Sequence, residues 1–206
     1  MLKAYWCSLR NQIHDPDKMK VYADLAGPAI KAGGGRFLAR GGKIKSLEGF
    51  EQARVVIIEF PSFDAACDTY ASAAYQAALE PVKAGAVTRD VFAVEGVEDL
   101  APRGDTKGPV AFWIGAHMTV HDPDKIAAYA AKATEAMKVA GGRFLARAGR
   151  THTFEGFEQT RVALAEHLSW DTAAGFYDSP EYATARKALD GGVTRDICIT
   201  EAAEGV

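Results

Sequence analysis

The stretch from Ala4 to Ile13 is dense in aromatic and branched apolar residues, the composition of a strand. Asp15-Pro16 then opens a helix, with aspartate as N-cap, proline at the first helical position and Asp17 at the positive end of the dipole. Met19, Tyr22, Leu25 and Ala26 follow at helical spacing. Gly33-Gly34-Gly35 closes that helix, because glycine accepts the left-handed cap. Arg36 to Ala39 reads as a short strand, Gly41-Gly42 as a turn or bulge, and the apolar run Val55 to Phe60 as a buried strand. Ser62 caps a second helix that extends from Phe63 to about Lys83, and Val87 to Val94 is the last strand.

The same order then recurs. GGRFLAR begins at Gly34 and again at Gly141, His14-Asp15-Pro16-Asp17-Lys18 returns from His121, and Glu48-Gly49-Phe50-Glu51-Gln52 returns from Glu155, all at an offset of 107. Val87-Thr88-Arg89-Asp90 returns from Val193 at 106, so copy two is one residue shorter late in the unit. A long repeat present twice is a duplicated domain, not a solenoid. The expected domains are 1–96 and 110–206, joined by a linker over 97–109 that holds two prolines and two glycines. Copy two differs at Asp178-Ser179-Pro180-Glu181, where proline interrupts the second helix and Ser179 is placed to cap a new piece; copy one, with Ser72-Ala73, is read as continuous.

A βαββαβ unit makes a four-stranded antiparallel sheet with both helices on one face, the ferredoxin-like arrangement. Its other face is bare. The thirteen-residue linker can span about 40 Å, roughly the width of a 100-residue domain. The two bare faces can therefore pack together in one chain. The predicted fold is α+β: tandem ferredoxin-like domains packed sheet to sheet as an intrachain pseudo-dimeric barrel.

Taken together, GGRFLARGG, the DPDKxxxY segment, the EGFEQ turn, VVIIEFPSFDAA and YDSPEYATARKAL resemble the domain-of-unknown-function 1330 family, over nearly all of both copies. The resemblance implies the dimeric α/β-barrel superfamily and the fold just described. It implies no reaction. The wider superfamily holds muconolactone isomerases, cofactor-free monooxygenases, haem-degrading enzymes and simple ligand binders, and a fold does not fix a function. Copy two departs from the pattern at Glu166-His167-Leu168-Ser169, against Glu59-Phe60-Pro61-Ser62 in copy one. The halves are therefore expected to differ there.

Net charge is −3 with both signs mixed, which removes nucleic acid from the expected partners. No apolar run approaches a membrane span and the start lacks a signal-peptide core, so a cytoplasmic protein without membrane partner is expected. Cys7, Cys67 and Cys198 are odd in number and unmatched between copies, which gives neither a disulfide framework nor a metal knuckle. No cofactor and no metal is expected. The expected partner is a small molecule, within an intrachain pseudo-dimer that can form a further homodimer.

Alternation divides the first strand of each copy. Tyr5, Cys7 and Leu9, with Phe112, Ile114 and Ala116, are assigned to the helix side. Trp6, Ser8 and Arg10, with Trp113, Gly115 and His117, are assigned to the barrel interior or a cleft. An aromatic beside a small and a polar residue suits a small-molecule pocket, and equally a packed interface. Arg36 and Arg40, with Arg143 and Arg147, are assigned to one strand face, either to hold a carboxylate or to pair with Glu59 and Glu166. His14 and His121 precede helix caps. His117, His152 and His167 occur in copy two alone, opposite Arg10, Lys45 and Phe60, and His117 is the candidate acid/base. His117 and His121 are four apart across a strand end, not along a helix, so zinc spacing fails. Gly33-Gly34-Gly35 ends a helix and is a cap, not a phosphate loop. Two classes stay open: a cofactor-free enzyme moving a proton on a small organic acid or lactone, with Trp6 and Trp113 as walls and Arg10, Arg40 and Arg147 on the anion, or a non-catalytic ligand-binding, sensing or interaction protein.

Overall fold

The computed structural model describes all residues except Lys107, which lies in the linker. Copy one contains β1 (Ala4–Ile13), α1 (Pro16–Ala32), β2 (Arg36–Arg40), β3 (Ile44–Glu48), β4 (Val56–Phe60), α2 (Phe63–Ala71), α3 (Ala73–Ala78), α4 (Glu80–Lys83) and β5 (Val87–Glu95). Copy two contains β6 (Ala111–Val120), α5 (Pro123–Val139), β7 (Arg143–Arg147), β8 (Thr151–Glu155), β9 (Arg161–His167), α6 (Trp170–Asp178), α7 (Pro180–Leu189) and β10 (Val193–Glu201). The predicted caps form: Asp15 accepts from the Lys18 amide and Ser62 from that of Ala65. Ser179 accepts from the Tyr182 amide and starts α7. Ser72 does the same for Tyr75, so the second helix of copy one also breaks, contrary to the continuous reading. Serine in extended backbone at that position is sufficient, and proline is not needed.

Each copy holds one strand beyond the predicted four, and that strand crosses to the other copy. The sheets run β2-β4-β1-β5-β8 and β3-β10-β6-β9-β7, all pairs antiparallel. Four-stranded sheets are therefore corrected to five-stranded sheets with an exchanged edge strand. The segments IKSLE and THTFE are short and half polar, as edge strands are, and carry no apolar run to mark them.

The exchange explains two of the repeated motifs. Arg89 forks onto Glu155 at 2.8 and 2.9 Å, and Arg195 onto Glu48 at 2.7 and 2.9 Å, so each VTRD arginine grips the other copy's EGF glutamate. The next residue of each motif, Asp90 or Asp196, accepts from the amide of Phe157 or Phe50. The intervening glycines have positive φ, and a Cβ on Gly49 would come within 2.7 Å of the Arg195 carbonyl oxygen. Only glycine fits this turn.

The dry interior lies between the sheets. Tyr5, Cys7 and Leu9 meet Phe112, Ile114 and Ala116 there, with Phe92, Val94, Leu164 and Cys198. The predicted faces are thus reversed: this apolar set fills the barrel, and Trp6 and Ser8 look toward the helices. Alternation separates two faces without naming them, and burying the more apolar face between two sheets removes it fully from water. The linker is strapped to copy two, where Arg103 forks onto Glu166 at 2.8 Å through both nitrogens and the Ala101 carbonyl accepts from Arg143.

Gly175 is exposed within α6, and a Cβ there meets nothing within 4 Å. Gly175→Ala is expected to stabilise the chain by roughly 0.5–1 kcal/mol through helix propensity alone, read as a rise of about 1–4 °C in thermal melting.

Candidate functional site

Between α1 and the outer face of the first sheet lies a cavity of about 310 Å³. Its wall is aromatic and aliphatic: Trp6, Phe37, Tyr22 and Tyr75, with Met19, Ile30 and Ile58. Trp6 is wedged by Tyr75, Phe154 and Phe60 at centroid distances of 5.1, 5.3 and 5.6 Å. The hydroxyls of Tyr22 and Tyr75 are hydrogen-bonded at 2.7 Å.

Two bulges place the polar groups. The first interrupts β1 between Leu9 and Gln12, with Arg10 at φ 53°, and brings Asn11 to the cavity. Asn11 donates to the Arg54 carbonyl at 2.9 Å and accepts from the Ser8 hydroxyl at 3.1 Å. The second lies in β2 between Phe37 and Ala39. It carries Arg40 to the side of Phe37, with its guanidinium 4.5 Å above the ring. Arg36 and Arg40 therefore do not share a face, which corrects the strict alternation assumed from sequence. Arg36 pairs with Glu59 at 3.2 Å, as Arg143 pairs with Glu166.

Three arginines line the cavity, and one is neutralised: Arg89, by Glu155. Among the described residues Arg40 and Arg54 have no carboxylate within 4.0 Å. Burial, and then the charges of Arg40 and Arg89, hold the Arg54 guanidinium below its ordinary pKa. Among the described residues no aspartate, glutamate or histidine lines the cavity.

The corresponding space in copy two has shrunk to about 20 Å³. Trp113, His117 and Arg147 line it, with Arg161 and Met137. Of the candidate residues, Trp6 and Arg40 thus meet in the open cavity and Trp113, His117 and Arg147 in the closed one. Burial, with the charges of Arg195 and Arg161, pushes the His117 pKa down to about 3, so the ring is neutral at pH 7.

Arg10 lies in neither cavity. It donates to Asp196 at 2.6 Å, approaches Asp90 at 3.8 Å, and lies 4.9 and 5.0 Å from the ring centres of Phe50 and Phe157. One arginine thus joins the two copies between equivalent aspartates and equivalent phenylalanines. His14 and His121 bond the hydroxyls of Thr88 and Thr194, and His152 is exposed against Phe154. Sequence reasoning passed over Arg54, Asn11, Tyr22 and Tyr75. The available signal was repetition: Arg54 returns as Arg161 and Tyr22 as Tyr129.

His167 is fully buried with neither ring nitrogen bonded, and burial lowers its pKa to about 4. The unfolded chain binds these protons near pH 6.5. Stability is therefore unaffected above that pH and falls as pH drops from about 6.5 toward the folded values. Between pH 7.5 and 5, His117 and His167 should each cost about 2 kcal/mol. His167→Phe, which restores the residue of copy one, is expected to remove about half of that loss in denaturant titrations at the two pH values.

A family model described as Domain of unknown function (DUF1330) matches residues 3–97 and again residues 110–203. No curated protein matches the chain. Solved structures match along its whole length at low identity. An anthrone oxidase-like protein aligns with TM-score 0.58 and 11% identity, over 99% of this chain and 92% of its own. A candidate chlorite dismutase aligns with TM-score 0.52 and 12% identity, over 98% and 95%. A candidate monooxygenase from Lactobacillus acidophilus NCFM aligns with TM-score 0.50 and 15% identity, over 98% and 94%. At these identities the likeness is one of fold: two packed antiparallel sheets with outer helices. Among the described residues no helix is long and apolar enough to cross a membrane.

Proposed function

The chain belongs to the DUF1330 family, whose description names no reaction, and from the copy-one cavity we propose that it binds a small organic anion with an apolar, aromatic-compatible body. One observation carries this reading: Arg40 and Arg54 face the cavity without a carboxylate partner, while Arg89 beside them is neutralised. A guanidinium fork binds a carboxylate bidentately, and the aromatic wall takes the remainder of the ligand. The volume lies at the lower end of the range for small-molecule sites. Proton transfer needs a group that titrates near neutrality. Among the described residues the lining holds no aspartate, glutamate or histidine, and His117 is in the other cavity with its pKa far below 7. Binding is therefore favoured over catalysis.

Calorimetric titration with 2-naphthoate tests this. One equivalent should bind, and the neutral 2-naphthamide should bind at least about tenfold more weakly, the worth of a charge-assisted hydrogen bond. Equal affinity for the two, or no binding of the acid, would reject the reading.

A further inference from the structure

We propose that copy two carries a second site for the same class of organic anion, held shut by Trp113 and His117. The inference rests on the anion-binding reading of copy one, and the cations of that site recur. Arg147 and Arg161 face the closed space, and among the described residues neither has a carboxylate within 4.0 Å. Arg195 is neutralised by Glu48, as Arg89 is by Glu155. The tyrosine pair recurs too, Tyr129 to Tyr182 at 2.7 Å.

Two buried polar groups in this space lack partners. Trp113 and His117 are each 2% exposed, and Trp113 Nε1 and His117 Nδ1 make no hydrogen bond. Each unpaired buried atom costs free energy, and these two lie beside Arg147 and Arg161 in the same closed space.

Position 115 explains the closure. A Cβ on Gly115 would lie 2.9 Å from Trp113 Cη2 and 3.1 Å from Cζ3, so the indole is folded over the bare glycine. The equivalent residue in copy one is Ser8, which has that Cβ. Trp6 instead packs among Phe60, Tyr70, Tyr75 and Phe154. The matching seat in copy two has His167 and Leu47 in place of the two phenylalanines and holds an indole less well. His117 fills what the indole leaves, its Nε2 being 3.8 Å from the same Cβ position.

The test is binding stoichiometry with 2-naphthoate. Wild type should take one equivalent. Gly115→Ser with His117→Asn should take two, the second within about tenfold of the first because the same arginine pair holds it. Adding Arg147→Met to that variant should return the count to one. Binding at copy one serves as the folding control. If the double variant binds none, Trp113→Leu, which adds no atom, replaces it and should also bind two. Wild type at one and the opened variants at one would overturn the second site alone. Wild type at none would overturn the anion-binding reading, and this proposal with it.

Discussion

Glu155→Gln is expected to destabilise the protein by about 3–5 kcal/mol, the usual cost of removing one partner from a buried ion pair. The charge it abandons is Arg89, whose side chain is 4% exposed and gains both of its short carboxylate bonds from Glu155. The glutamate belongs to copy two and the arginine to copy one, so the loss also loosens β8 from the first sheet. The acceptor of the Tyr70 hydroxyl loses its charge at the same time. Glu48→Gln, at the equivalent place, should cost less, because Glu48 is 26% exposed against 18% for Glu155. Arg89 also lines the open cavity. Freed of Glu155, it joins Lys20, Arg40 and Arg54, which among the described residues also lack a carboxylate within 4.0 Å. The variant should therefore melt lower and yet bind 2-naphthoate more tightly than wild type. Ordinary damage to the fold would weaken both, so calorimetry beside chemical denaturation separates the two accounts.

What the sequence made legible followed physical rules with strong local signals. The helix caps at Asp15, Ser62 and Ser179 were readable because a side chain must satisfy the first amides of a helix. The pairing of the copies was readable because a sheet with one bare apolar face has to cover it. The exchanged strands were not, since Ile44–Glu48 and Thr151–Glu155 are half polar and pair on one side alone. The bulges at Arg10 and at Leu38 were also hidden, and they decide the site. Strict alternation put Arg40 beside Arg36 and left Asn11 out; one inserted residue per strand reverses both. His117 stood out as a histidine peculiar to one copy. That signal marks where the halves diverged, which turns out to be the closed half.

Arg54→Met is expected to weaken 2-naphthoate binding by about 100-fold, and Arg40→Met by about tenfold, within the 1.5–3 kcal/mol of a hydrogen bond to a charged group. The difference comes from position. Arg54 is half-buried, and Arg40 is exposed at the mouth, where water and salt screen it. Raising the ionic strength should therefore erode the Arg40 contribution first. The Arg54→Met chain should melt no lower than wild type, and higher if the repulsion from Arg40 and Arg89 is relieved. Methionine keeps the packing of the stem, and the hydrogen bond from Asn11 goes to the backbone carbonyl at 54, which the substitution leaves in place. A residue whose removal abolishes binding without loss of stability is held for the ligand. Should Arg54→Met instead unfold the chain, the guanidinium serves the fold, and the case for an anion in the cavity loses its main support.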